Sequence, residues 1–153
     1  NMMQRISMRT LRQCPVAAAH CTPLDPASGL SGSVLFYPAS CGSLVVAEFF
    51  NLPEPEHFYA LHIHEGTDCG GTDFSDSKGH LHSQGQLHPD HIGDLPVILA
   101  GHGYAWAANY TARFTPQMVL GRTVILHHQP DDFRSQPSGN SGSKLACGVI
   151  QRL

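Results

Sequence analysis

The sequence of 153 residues has little charge and no long apolar run. Charged residues make up only 14% of the chain, against about 25% in a typical soluble domain, and the formal net charge is −3. Such a chain has no basic excess with which to bind nucleic acid or an anionic membrane surface. No apolar stretch approaches the ~20 residues of a membrane-spanning helix. We therefore expect neither nucleic acid nor a membrane as a partner.

A secretory signal is also lacking, because the arginine-rich start of the chain is not followed by an apolar core of about 7–15 residues. We therefore expect a cytoplasmic protein. The length predicts one domain, which we place at residues 12–153 behind an N-terminal extension of residues 1–11. The five cysteines leave at least one thiol unpaired if every disulfide is internal.

Turn-forming residues and alternating hydrophobicity dominate what is present. The chain contains 15 glycines and 11 prolines, and its apolar side chains recur with period two, as in half-buried strands. No window predicts an amphipathic helix of ordinary length. We predict an all-β fold with two long loops, at residues 65–94 and 129–144. The predicted strands lie near residues 12–21, 31–37, 43–51, 57–64, 95–101, 104–113, 121–127 and 146–151.

Histidine is the most over-represented residue, with 11 copies, of which seven fall within residues 57–91. His62 and His64 stand at i and i+2 of a predicted strand, so they share one face, opposite Leu61 and Ile63. Two imidazoles side by side on a rigid element suit a metal site. For this pair alone, a solvated polar face explains the pattern better than a metal site does.

A second cluster follows in the predicted loop, where His80, His88, His91 and Asp94 lie close in sequence. Three imidazoles and one carboxylate suit a tetrahedral zinc site. Metal binding would also give order to a loop without secondary structure. The alternative is a polar, histidine-rich loop that binds metal loosely or not at all. His82 competes with His88 for one zinc position, because only spacing separates the two.

Six short segments of the sequence, taken together, form a specific pattern. The later segments include the predicted strand 121–127, which ends at His127, and parts of the stretch that follows it. This pattern, from about residue 30 to the end of the chain, resembles the copper/zinc superoxide dismutases in their compact bacterial form. The resemblance implies an eight-stranded Greek-key β-barrel, or immunoglobulin-like sandwich, with two long metal-site loops. The six segments lie at residues 62–66, 79–80, 88–96, 121–127, 130–132 and 139–150.

The resemblance also implies the metal ligands. Copper would be held by His62, His64, His80 and His127. Zinc would be held by His80, His88, His91 and Asp94, so that His80 bridges the two metals.

Further roles follow from the same resemblance. Asp131 would accept hydrogen bonds from one copper histidine and one zinc histidine. Cys69 and Cys147 would form an intrachain disulfide, the alternative being two reduced, buried cysteines. Lys144 stands where the family has an arginine at the active-site rim. A lysine keeps the charge but not the planar fork of the guanidinium.

The activity that the resemblance implies is the disproportionation of superoxide, a small anion, to oxygen and hydrogen peroxide, with His80 and Lys144 as catalytic residues. The main alternative is a non-enzymatic copper- and zinc-binding protein, such as a copper chaperone or metal buffer, on the same barrel. A third option is a structural zinc-only domain. A degenerate chaperone would lack a copper ligand, whereas all four positions are filled here. The sequence leaves open whether the protein is a homodimer.

Overall fold

A computed structural model describes residues 7–153, and these residues form an almost entirely β structure with nine strands and one short helix. Residues 1–6 of the predicted N-terminal extension lie outside the described residues. Within the described part, no helix is long and apolar enough to cross a membrane. The elements are β1 (Ala17–Pro23), β2 (Ser31–Ala39), β3 (Gly42–Phe50), β4 (His57–Tyr59), β5 (Leu61–His64), β6 (Ile98–Ala100), β7 (Ala105–Thr111), α1 (Pro116–Val119), β8 (Thr123–His127) and β9 (Lys144–Arg152).

The strands form a curled antiparallel sheet of seven strands, in the order β5-β8-β9-β1-β2-β3-β7, and a second pair, β4-β6. The predicted strand 57–64 is divided at Ala60. The backbone changes partner there: β4 pairs with β6 and β5 pairs with β8. Counting β4 and β5 as one strand gives the eight that the family fold implies, so the predicted fold class is confirmed.

The predicted first strand is wrong at its start. It was expected near residues 12–21 but begins at Ala17, and Met8–Arg12 form a 3-10 helix instead. Ser7 caps this helix by accepting a hydrogen bond from the backbone N–H of Arg9. Pro15 has no backbone N–H for a sheet ladder, which explains why the strand starts beyond it.

The barrel core is built from the inward-facing residues of the alternating strands, as period-two burial requires. Its largest fully buried side chains include Tyr59, Phe36, Phe49, Phe114 and Ile63. At the β2–β3 hairpin, Ser40 and Cys41 both have positive φ, as the tight two-residue turn demands.

The two long loops lie outside the barrel. Residues 65–97 join β5 to β6, and residues 128–143 join β8 to β9. The first loop contains one 3-10 helix, Thr72–Ser77, and is otherwise irregular. Both loops leave from the strands that carry His62, His64 and His127, so they cover these histidines.

Candidate metal centre

Strands β5 and β8 hold three of the predicted ligands in register. The two strands pair antiparallel, with His62 opposite Ile125 and His64 opposite Thr123, and every residue of both is buried. His62 and His64 share a face, as the alternation predicts, but they are only 0% and 2% exposed. The interpretation of this face as a solvated polar surface is therefore wrong.

Four histidines converge above these strands. One ring nitrogen from each of His62, His64, His80 and His127 lies within 4.8 Å of the others. The Nε2 atoms of His64 and His127 are 3.2 Å apart. On the outer side, Nδ1 of His64 donates to the carbonyl oxygen of Lys78 at 2.7 Å, and Nδ1 of His127 lies 3.4 Å from that of Gly142. Because the ring protons are on the outward-facing Nδ1 atoms, both Nε2 atoms direct their lone pairs towards the centre of the four-histidine group.

A second group surrounds the carboxylate of Asp94. Its Oδ1 lies 2.7 Å from Nδ1 of His80. Its Oδ2 lies 2.9 Å from Nδ1 of His88 and 3.1 Å from Nδ1 of His91. These last two nitrogens make no hydrogen bond despite the short distances. Lone pairs that face a carboxylate oxygen in this way are the arrangement expected of ligands to one cation.

His82 does not join either group. Its Nδ1 donates to the backbone oxygen of His80 at 2.8 Å, and its ring packs 5.6 Å from that of His91. His88 instead belongs to a group with His62, His80 and Asp94, and its Nδ1 lies 2.9 Å from Oδ2 of Asp94. The geometry thus favours His88 over His82. His102, which has no predicted role, is fully exposed.

Asp131 connects the two groups. Its Oδ2 accepts a hydrogen bond from Nε2 of His62 at 2.8 Å, and its Oδ1 accepts one from Nε2 of His88 at 2.7 Å. Burial alone would raise the pKa of this carboxyl. The hydrogen bonds from His62, His88 and the backbone N–H of Phe133 outweigh burial and lower the pKa to about 2. The carboxylate is therefore charged and orients one ring of each group.

The donor set fits copper and zinc. Four buried ring nitrogens have no hydrogen-bond partner, although buried polar atoms are rarely unpaired. Imidazole nitrogen suits both metals, and a carboxylate oxygen suits zinc. The unpaired nitrogens are Nδ1 of His62, Nε2 of His80, Nδ1 of His88 and Nδ1 of His91.

Three histidines of the first group, His62, His64 and His127, are neutral. Burial lowers the pKa of His62 to about 4, against the opposing effect of Asp131. Burial also lowers the pKa of His64 and of His127 well below the ordinary value, and the neighbouring histidines lower it further. Neutral imidazole is the form that binds a metal. The rings are therefore ready to bind at neutral pH.

Lys144 lies beside the first group at the start of β9. It lines a cavity of about 520 Å³ together with His64 and His127. Its Nζ donates to Oγ of Ser77 at 2.7 Å and to the carbonyl oxygen of Lys78 at 3.1 Å. Burial lowers the pKa of its ammonium group. This lysine is thus fixed in place and is not a freely solvated surface residue.

The predicted disulfide between Cys69 and Cys147 is present. Cys147 pairs with Ile125 across β8 and β9, so the bond ties the loop after β5 to the centre of the sheet. The other three cysteines, Cys14, Cys21 and Cys41, are free thiols.

Sequence reasoning missed two residues that support the site. The side-chain amide of Gln136 pairs with the backbone of His88, accepting from its N–H at 2.9 Å and donating to its carbonyl oxygen at 2.7 Å. Gln136 and His88 are 48 positions apart in the sequence, so their spacing gives no sign of this contact. Gly139 lies so close that a Cβ atom would come within 1.9 Å of Oδ1 of Asp131. Gly139 begins the segment 139–150 of the family pattern, so the sequence marks this position, but it gives no sign of the close approach to Asp131.

Comparison with known sequences relates this chain to one protein family. Residues 30–150 match the family model described as copper/zinc superoxide dismutase. A "Superoxide dismutase [Cu-Zn]" of Deinococcus radiodurans is 32% identical, with 85% of this chain and 82% of that protein covered. One of Caulobacter vibrioides is 34% identical, over 79% of this chain and 78% of that protein.

A solved structure agrees on the fold. The crystal structure of a double mutant of a SOD-like protein from Bacillus subtilis superposes with a TM-score of 0.75, at 23% identity, and covers 88% of this chain and 96% of that one. At this identity the likeness concerns the fold alone. The family match and the relatives of more than 30% identity extend over most of the chain. This chain therefore belongs to the copper/zinc superoxide dismutase family.

Proposed function

We propose that this chain disproportionates superoxide to oxygen and hydrogen peroxide at a copper/zinc site in which His80 is shared by both metals. Copper would be held by His62, His64, His80 and His127. Zinc would be held by His80, His88, His91 and Asp94. The observation that carries the proposal is the convergence of four histidines in one group and of His80, His88 and His91 around the carboxylate of Asp94, with ring nitrogens that no hydrogen bond satisfies.

Copper bound by these histidines would supply the one-electron redox chemistry that the reaction needs. The protein supplies the rest. Lys144 places a fixed positive charge beside His64 and His127, in the cavity that leads to them. A cation at the mouth of a site raises the local concentration of a small anion.

His80 is the residue suited to proton transfer. This residue belongs to the first group; its Nδ1 is held 2.7 Å from Oδ1 of Asp94, whereas its Nε2 is buried and has no hydrogen-bond partner. We infer that Nε2 takes up a proton from solvent and donates it to the superoxide that is being reduced, and that water supplies the second proton needed to form hydrogen peroxide. Asp131 keeps the rings of His62 and His88 in place throughout.

Metal content and activity together test this proposal. The metal-free protein is loaded with copper and zinc, its metals are counted by mass spectrometry, and superoxide consumption is measured. We expect one copper and one zinc per chain and dismutation well above that of zinc-only protein. Full metal content without dismutation would favour the copper chaperone or metal buffer, and zinc uptake without copper would favour the structural zinc domain.

Assembly and location are further parts of the proposal. We propose that the protein is a homodimer, to be tested by light scattering coupled to size exclusion, and that it acts in the cytoplasm. Stable disulfides are unusual in a reducing cytosol, so this location requires the Cys69–Cys147 bond to be shielded, and Cys147 is only 1% exposed. A relative from mouse is named an extracellular enzyme, with 31% identity and 59% of its length covered. Cell fractionation decides this point.

A further inference from the structure

Arg113, in the turn between β7 and α1, reaches into the loop that carries the proposed zinc ligands. Its Nη1 donates to the carbonyl oxygens of Pro89 at 2.7 Å and His91 at 3.0 Å, and the carbonyl oxygen of Asp94 lies 3.4 Å away. Its Nη2 is 3.6 Å from the exposed carboxylate of Asp90. One guanidinium group therefore meets four residues of the segment 89–94.

The carbonyl contacts concern the zinc ligands themselves. Two of the three carbonyl groups belong to His91 and Asp94, whose side chains point at the second metal group. Three carbonyl dipoles that converge repel one another unless a cation lies between them. The rigid, planar fork of arginine supplies this cation with N–H groups in fixed directions.

The backbone of the segment is anchored at Gly93, whose carbonyl oxygen accepts from the N–H of Ile63 in β5 at 2.8 Å and whose N–H donates to the carbonyl oxygen of Leu81 at 2.9 Å. Local turns complete it, from Asp90 N–H to Leu87 at 2.7 Å and from Asp94 N–H to His91 at 3.1 Å. Arg113 adds to the anchor at Gly93 a side-chain contact that ties the carbonyl groups of Pro89 and His91 to the barrel.

We propose that Arg113 is a positioning residue for zinc: it holds the loop so that His91 and Asp94 already face His80 and His88 before the metal binds. The inference rests on the proposed function, because it takes these residues as zinc ligands. It predicts a loss of zinc affinity without a comparable loss of copper affinity.

The test compares R113M with a matched control, R152M. Arg152 is an exposed arginine at the end of β9 that bonds Gln117 and touches neither loop. Zinc affinity of the metal-free proteins is measured by competition with a chromophoric chelator. We expect R113M to bind zinc on the order of 10- to 100-fold more weakly than wild type, as for other residues that orient metal ligands. R152M should bind as wild type does.

Two further readouts separate positioning from general stability. Co²⁺ bound in place of zinc should give a visible absorption spectrum of altered shape in R113M, and the melting temperature of the metal-free protein should change by no more than it does in R152M. R113K keeps the charge without the fork and should recover part of the zinc affinity. If R113M does not fold, R113K carries the test, and weaker zinc binding than wild type supports the inference.

If R113M binds zinc as tightly as wild type does, or if R152M loses as much zinc affinity as R113M, the role proposed for Arg113 is wrong, while the proposed function is unaffected. Wild-type affinity in R113K overturns the need for the fork. If the wild-type protein itself binds no zinc, the proposed function fails instead, so the two failures are distinguishable.

Discussion

The Nε2 atoms of His64 and His127 lie 3.2 Å apart, although the residues are 63 positions apart in the sequence. Each ring has its Nδ1 directed at a backbone carbonyl oxygen, of Lys78 and Gly142 respectively. Two unprotonated nitrogens at this distance repel each other in the absence of a cation. The arrangement therefore favours a bound metal more than it favours the metal-free fold.

This relationship predicts the effect of His127→Ala. We expect the substitution to abolish dismutation and copper binding, because a proposed copper ligand is lost. The metal-free protein should melt near the wild-type temperature, because the repulsion between the rings of His64 and His127 is removed. Activity, copper content and melting temperature after loading with both metals check this. His102→Ala, at a fully exposed histidine, is the matched control. Full activity in His127→Ala would contradict the copper assignment.

Asp131→Asn should weaken the binding of both copper and zinc. The carboxylate accepts from His62 through one oxygen and from His88 through the other, whereas an amide can accept through only one. We expect affinities for copper and for zinc to fall on the order of 10- to 100-fold, measured separately by chelator competition. An effect on one metal only would show that Asp131 does not couple the two groups.

Gly139→Ala should damage the same coupling by steric means. The added Cβ would lie 1.9 Å from Oδ1 of Asp131 and 2.6 Å from Nε2 of His88. Gly121→Ala is the control, because Gly121 has a similar positive φ, +81° against +70°, but open space around its Cβ position. Both variants should lose ~1–2 kcal/mol of stability through backbone strain. Only Gly139→Ala should also lose metal affinity; equal metal binding in the two would contradict the contact.

Lys144→Ala should lower the catalytic rate and flatten its dependence on ionic strength, with metal content unchanged. The reason is that steering of an anion weakens as salt shortens the Debye length, to about 8 Å at physiological ionic strength. Lys144→Arg should keep or raise the rate. The measurement is the rate against salt concentration, with Arg12→Ala as a control outside the cavity. If the curves of all forms superimpose, Lys144 does not lie at the active-site rim.

Acid should destabilise the metal-free protein between about pH 6.5 and pH 4. The pKa of His62 falls from about 6.5 in an unfolded chain to about 4 through burial, and those of His64 and His127 are also lowered. The unfolded chain then binds more protons than the native one, so the free energy of unfolding decreases as pH falls. Asp131, with a pKa of about 2, adds a further loss only below about pH 4.

Urea unfolding of the metal-free protein at pH 7 and pH 5 checks this expectation. The midpoint should be lower at pH 5, and the difference should shrink in His127→Ala, which removes one of the buried groups. An unchanged or higher midpoint at pH 5 would contradict the neutral state of the buried rings.

The alternation of apolar residues was sufficient to predict the fold class and to place His62 and His64 on one face. It could not reveal the break at Ala60, because a change of pairing partner leaves the period-two pattern intact. Spacing could not separate His82 from His88 either. That choice depends on Asp131 and Gln136, which approach His88 only in the folded chain. Arg113 left no trace in the sequence, because it bonds backbone carbonyl groups, which every residue has.

The Cys69–Cys147 bond has a consequence for the loss and recovery of metal. It closes a ring between residues 78 positions apart in the sequence, and this ring contains the proposed loop-borne ligands, such as His88, and the strand that ends in His127. When zinc leaves and the loop opens, the loop remains anchored to β9 close to the site. Its ligands then return at a high effective concentration, as in any tethered binding reaction. Recapture of a metal ion after opening becomes a local, unimolecular event, whereas in the reduced protein the same loop is free to move much further away.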